Sequence, residues 1–191
     1  THPSGLTASF TVTPVKRGRS YVFRDCKAGT NTPASPSAPG TFANTPNASY
    51  SMAITQKQFT GAAIGTQTWQ YSYSPSNESW TVNCGGGCAT SVWTRVLYPD
   101  GHAERSTFSN RYDYTESLLL SEEVFDGEAD VTRRRRLTQY GYVNPTAGAD
   151  ARANDYPRLW GNAPAKRLNF AQVESQIPMA SRVTQIGDNQ N

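Results

Sequence analysis

The 191-residue sequence has little of what marks a metalloenzyme, a helical protein or a membrane protein. Cysteine occurs three times and histidine twice. His2 and His102, with Cys26, Cys84 and Cys88, are too few and too scattered for a four-ligand zinc site. No Gly-x-Ser-x-Gly, phosphate-binding loop or His-Glu-x-x-His is present. The longest aliphatic run, Leu118-Leu119-Leu120, is far short of a membrane span. Charged residues make up 17% and hydrophobic residues 36%, both below the usual globular share. The net charge of +3 is too small to imply a nucleic-acid partner. Residues 1–90 carry 6 basic and 2 acidic groups against 12 and 13 in residues 91–191. No stretch of twelve residues shows the i, i+3, i+4 apolar spacing of a capped helix.

What fills the gap is 18 Ser, 21 Thr, 12 Asn, 15 Gly and 12 Pro. These are turn formers and strand-tolerant residues, and they predict an all-β chain. Leu6, Ala8, Phe10 and Val12 alternate with Thr7, Ser9 and Thr11, the period of a half-buried strand. Ser20–Arg24 is a second short candidate, Tyr50–Phe59 a third and Thr66–Tyr73 a fourth. Trp80-Thr81-Val82 continues the β pattern after a Ser-Pro-Ser-Asn turn. From Val92 to Tyr142 the pattern is an antiparallel meander: Val92–Tyr98, Ala103–Ser109, Ser117–Phe125 and Val131–Tyr142. Its turns are Pro99-Asp100-Gly101 and Asp126-Gly127, where proline fixes φ and glycine supplies a positive one. Residues 28–49 read as a Pro/Ser-rich surface loop, and Glu174–Ile186 as a last strand. The organisation expected is a β-rich segment over 1–143, an irregular Pro/Gly-rich connection over 144–170, and the start of a further β element over 171–191. The chain opens at Thr1 without a charged-then-apolar leader and closes on a polar tail, which reads as a piece of something longer.

Candidate sites are few. Cys84 and Cys88 bracket three glycines and can close a small disulfide loop, leaving Cys26 over; two free thiols are the alternative. Glu116, Glu122, Glu123, Asp126, Glu128 and Asp130 form an acidic strip, expected to be a solvated edge rather than a catalytic pair. His102 follows a hairpin glycine and has no evident partner. Arg133–Arg136 splits two and two across a strand, so it cannot make one basic patch, and the neighbouring glutamates are placed to pair with it. Asn47-Ala48-Ser49 and Asn77-Glu78-Ser79 match the glycosylation triplet, which this composition produces by chance. Trp69, Tyr71 and Tyr73 share one strand face, as core or as a platform for sugar rings. The residues point to no catalytic group, no cofactor and no metal.

His2-Pro3-Ser4-Gly5 and Tyr98-Pro99-Asp100-Gly101 repeat one turn pattern, each opening a polar strand with a later phenylalanine. The string Trp93–Gly101, then Phe108-Ser109-Asn110-Arg111, and then Ser117–Gly127, resembles the bacterial Rhs (YD-repeat) family. Ser117 departs from that family's usual glycine, and the eponymous Tyr-Asp pair occurs once, at Tyr112-Asp113. Thr7–Tyr21, Thr68–Tyr73 with the Cys-Gly-Gly-Gly-Cys loop, and Tyr156–Gly161 look like the region ahead of the repeats. The resemblance implies a repeat sheet that spirals into a hollow shell, exported or in the cell envelope, in some members around a C-terminal effector. It implies a scaffold whose partners are the rest of the parent chain and an enclosed domain. The alternative from the residues is a carbohydrate-binding β module using Trp69, Tyr71 and Tyr73.

Overall fold

The computed structural model describes residues 5–22, 47–80, 83–113, 115–127, 133–143 and 179–187. They form eight strands: β1 (Thr7–Gly18), β2 (Ala48–Gly61), β3 (Gly65–Tyr73), β4 (Ser91–Leu97), β5 (Ala103–Ser109), β6 (Leu119–Phe125), β7 (Arg134–Tyr142) and β8 (Met179–Ile186). The strands lie in chain order in one sheet, each antiparallel to the one before. The chain is all-β, and the expected four-stranded meander is its β4–β7 section.

Alternation sorts the side chains by face. The register stacks Phe10 on Lys57 and Lys57 on Trp69. It carries the same face through Tyr71 and Val96 in β3 and β4, and pairs Val92 with Phe108. The opposite face of β1–β3 is Thr7, Ser9, Thr11, Gln56, Gln58, Thr60, Thr66, Thr68 and Gln70. Phe10 and Phe108, the two rings of the repeated turn pattern, therefore lie on one face of one sheet. Residues 1–4, which carry most of the first copy, are outside the described residues.

The core is small. Among the described residues the buried apolar side chains are Val22, Ala53, Ala103, Tyr112 and Phe125. Ala103 and Phe125 face each other across β5 and β6, Ala53 lies in the middle of β2, Val22 in the segment after β1 and Tyr112 in the loop after β5. That segment forms no strand of its own. Ser20 and Val22 instead make isolated parallel bridges to Arg111 and Trp80, because they cross the ends of other strands. Residues 23–24 and 81–82 of the expected short strands are outside the described residues. Ser117 sits in a turn with φ 67°, so β6 starts at Leu119 rather than at Ser117. β7 likewise starts at Arg134, past Arg133, and β8 is described from Met179. Residues 28–46 of the proline-rich stretch are not described, whereas Ala48 and Ser49 already belong to β2.

Two irregularities shape the β1–β3 end of the sheet. A register shift at Thr11/Val12 bends the β1–β2 pair, as bulges do. Beyond Gln56↔Gln70 the β2–β3 ladder stops while β1–β2 continues to Gly18↔Ala48. The free part of the hairpin arches over the Ser74–Ser79 segment. Gly18 makes the approach: a Cβ there would lie 2.2 Å from the Ser76 carbonyl oxygen, so no larger residue fits.

Candidate functional site

The arch borders a half-open cavity of about 750 Å³, within the range that accepts small ligands. Its floor is Val92, Thr94 and Phe108, from β4 and β5. One wall is Lys16–Arg19 with Ala48 and Ser49, another Ser74–Ser76, and the far end Ser109, Asn110, Glu116 and Ser117. Each wall is held from outside the cavity. Lys16 is ion-paired and hydrogen-bonded to Glu78, which also accepts from Ser76 Oγ. These two donors hold the Glu78 carboxyl at about 2, well below the carboxylate range. Arg17 lies over the Tyr73 ring at 4.8 Å and donates through Nε to Ser51 Oγ at 3.2 Å. Tyr73 Oη in turn donates to the Ile54 carbonyl at 2.7 Å.

The far end is built by the loop after β5. Ser109 and Ser117 close it with backbone bonds of 2.9 Å, Ser109 N–H to Leu118 O and Ser117 N–H to Ser109 O. Asp113 Oδ1 accepts from the Thr115 backbone at 2.7 Å and from its hydroxyl at 2.6 Å, an Asx turn. Buried Asn110 donates to the Asn77 carbonyl at 3.0 Å and receives the Ser20 N–H on its own carbonyl at 2.7 Å. Glu116 is brought beside Arg19, whose Nε lies 2.5 Å from Oε1. The other oxygen, Oε2, is buried with no hydrogen-bond partner. Burial outweighs the neighbouring guanidinium and lifts the Glu116 carboxyl above its ordinary pKa, with Asp113 pushing the same way. An unpaired buried carboxylate oxygen costs folding energy.

The acidic strip expected at a solvated edge is split up. Glu123 is 5% exposed, held by Arg105 at 2.7 Å and Arg134 at 3.1 Å. Arg95 and Arg105 face each other directly across β4–β5, a repulsive position relieved because Arg95 turns to Ser72 Oγ at 3.0 Å. Glu122 accepts from Tyr140, and Asp126 pairs with Arg135. Arg134 and Arg135 are thus tied to the neighbouring acids rather than gathered as a patch. Glu128 and Asp130 lie outside the described residues. The solvated-edge expectation fails for Glu116 and Glu123 because both lie where strands or loops cover them.

His102 does have partners: Nδ1 lies 2.5 Å from Asp100 Oδ1, and its ring stacks on Tyr98 at 4.1 Å. Burial and a hydrogen bond to Glu104 push the Tyr98 hydroxyl up to about 12. Pro99, Asp100 and Gly101 form the β4–β5 turn, with Gly101 at φ 89°, and Asp126 and Gly127 follow β6. Cys84 and Cys88 are joined by a disulfide with Cα atoms 5.2 Å apart. Cys26 is outside the described residues. The Asn77 side-chain amide donates to the Ser91 carbonyl at 2.8 Å, so that triplet is part of the fold.

Trp69, Tyr71 and Tyr73 are half-buried on the sheet's apolar face. Lys57 Nζ sits 4.1 Å from the Trp69 ring centre, and Phe59 packs edge-on against it at 5.5 Å. Cations therefore cover the Trp69 and Tyr73 ring faces that a sugar would stack on. The cavity residues Arg17, Arg19, Asn110 and Phe108 carried no local signal of a shared site, since 89 to 93 positions separate the first two from the last two. Among the described residues no group of three His, Cys, Asp or Glu side chains can hold a metal ion. No described helix is long and apolar enough to cross a membrane. Compared with family models, with curated proteins and with solved structures, the chain matches none.

Proposed function

We propose that this chain is a passive section of β-sheet wall, a scaffold piece of a larger shell of YD-repeat type, rather than a catalyst. The observation that carries the reading is that, among the described residues, the strands form one sheet whose first and last strands each have a partner on one side only. β8 is exposed at every one of its eight positions, and β1 at Phe10 (54%) and Val12 (44%). On β2, Tyr50 and Met52 are exposed at 73% and 67%. A repeat sheet stacks neighbours to bury such surface, whereas a free domain usually closes or protects its edges. The resemblance of the Trp93–Gly101 and Ser117–Gly127 strings to that family supports the same reading. It also supports a place outside the cell or in the envelope and an enclosed C-terminal effector.

Urea unfolding of the 191-residue chain against a version extended by two or more downstream units tests this. The extended chain is expected to unfold at higher urea with a larger m-value, because its appended strands cover β8. A monomeric 191-residue chain with several kcal/mol of stability that extension leaves unchanged would instead be a self-contained domain.

A further inference from the structure

Three features meet at the cavity under the β1–β2 arch, and a wall section requires none of them. The first is the half-open space itself, mixed in character: an aromatic and aliphatic floor under a rim of hydroxyl, amide and charged groups. Such a lining suits a ligand with one apolar face and several hydrogen-bonding groups. The second is Glu116, whose side chain is 10% exposed and whose Oε2 has no partner. The third is backbone strain. Among the described residues the non-glycine positions with positive φ are Tyr21 (58°), Asn77 (50°) and Ser117 (67°). Ser117 lines the cavity, Asn77 carries the carbonyl that Asn110 holds, and Tyr21 follows the residue bonded to the Asn110 carbonyl. Strain of this kind gathers at ligand clamps, where the surroundings over-determine the conformation.

The charges choose among ligands. Lys16 is neutralised by Glu78 and Arg19 by Glu116, so neither asks for an anion. Arg17 is different: among the described residues it has a hydroxyl and an aromatic face but no carboxylate. A guanidinium left so placed matches a carboxylate with two parallel hydrogen bonds. Glu116 Oε2 matches a hydroxyl donor, and Phe108 with Val92 matches the C–H face of a sugar ring.

We propose that this cavity binds a pyranose sugar bearing a carboxylate, a uronic acid or the acidic end of a glycan. Arg17 would take the acid group, Glu116 a ring hydroxyl, and Phe108 the apolar ring face. This goes beyond the wall reading and does not depend on it. The site is separate from the Trp69, Tyr71, Tyr73 strand, with Tyr73 lying beneath Arg17 as its support.

The test is titration of the full 191-residue chain with D-glucuronate, D-glucose and benzoate, followed by amide chemical shifts. D-glucuronate is expected to bind more tightly than D-glucose, with shifts centred on Arg17, Phe108 and Glu116. Arg17→Gln should weaken glucuronate about tenfold and leave glucose unchanged, the loss of one charge-assisted contact. Glu116→Gln should weaken both sugars. Ser49→Trp, at an exposed rim position, should block both without touching the core, and Trp69→Ala should change neither. Urea midpoints close to the parent's identify the variants that remain folded, and Ser49→Trp keeps the test open if Glu116→Gln does not. The proposal is overturned if no sugar binds, or if benzoate binds as well as glucuronate. It is overturned too if Arg17→Gln leaves the preference for glucuronate intact. Binding lost in Trp69→Ala but kept in Ser49→Trp would move the site to the aromatic strand and also overturn it.

Discussion

β5 and β8 are close in length, Ala-Glu-Arg-Ser-Thr-Phe-Ser against Met-Ala-Ser-Arg-Val-Thr-Gln-Ile, and both are antiparallel strands of one sheet, yet they differ sharply in burial. β5 begins and ends on buried residues and has no exposed position. Its Arg105 answers a buried glutamate and its Ala103 packs opposite fully buried Phe125. β8 exposes all eight residues, and its Val183 and Ile186 lie 52% and 86% in water. Strand-forming residues alone do not bury a strand. A neighbour on each side and a loop across the end do, and β5 has both: β4 and β6 flank it, and the Ser109–Leu118 loop closes it.

The widest gap between the two regions is expected from Phe125→Ala against Val183→Ala. The first empties a fully buried ring position and should cost about 3–5 kcal/mol, enough to unfold a marginal sheet. The second removes methyl groups that are about half in water and should cost less than about 0.5 kcal/mol. Urea midpoints of the two variants check this, and equal losses would break the comparison.

Next is Glu123→Ala, which strands Arg105 and Arg134 without their shared carboxylate. Breaking a buried ion pair from one side should cost about 3 kcal/mol. By contrast, Arg182→Ala in β8, a cation over the Tyr140 ring at 5.8 Å, should cost under about 1 kcal/mol. Parallel unfolding curves for the two variants sharpen the difference between an interior and an edge charge.

Acid should loosen the arch before the β5–β6 interior. Glu78 has its pKa lowered to about 2 in the folded chain from 4.5. Its stabilising contribution is full above 4.5 and disappears as pH falls toward 2. Glu116 has the opposite sign: its raised pKa makes the folded state hold a proton longer. Stability from that group therefore falls as pH rises through the interval above 4.5. Amide exchange should speed up in Lys16–Arg19 between pH 4 and pH 2 relative to Arg105 and Thr107, and Glu78→Gln should remove that step. An unchanged acid profile in Glu78→Gln would show that the arch is held by something else.

A further effect is expected from reducing Cys84–Cys88. Closing so short a loop restricts the unfolded chain less than a long loop does, which corresponds to about 2 kcal/mol on the chain-entropy scale. Intact mass should rise by about two daltons on reduction, the two hydrogens added, and the urea midpoint should fall by less than in Phe125→Ala.

Much of this architecture was legible before any coordinates, because period-2 alternation and Asp-Gly turns are local signals. Each of the eight strands overlaps a segment read as a strand from the sequence, Thr66–Tyr73 by its alternation and Val92–Tyr98 by its β-branched and aromatic residues, and the meander follows from short connections between them. Ser20–Arg24 misled for a physical reason. Tyr21-Val22-Phe23 has the composition of a strand, but Ser20 and Val22 spend their backbone bonds on Asn110 and Ser79, across strand ends. The cavity was less legible still. Its acid stands beside the turn-flanking Asp113, its cations end β1, and its floor is the middle of β4 and the end of β5.

The sequence by itself determined the fold class, the faces and the turns. Each depends on residues within a few positions of one another, where sterics and alternation act directly. Only the tertiary structure decided that Glu116 and Glu123 are enclosed, that Arg17 is the cavity cation with no carboxylate partner among the described residues, and that the β1–β2 hairpin leaves β3 to form an arch. Those outcomes depend on burial and on charge pairing between residues tens of positions apart. Both are set by how strands bend and which loop crosses which end, and no local pattern carries that information.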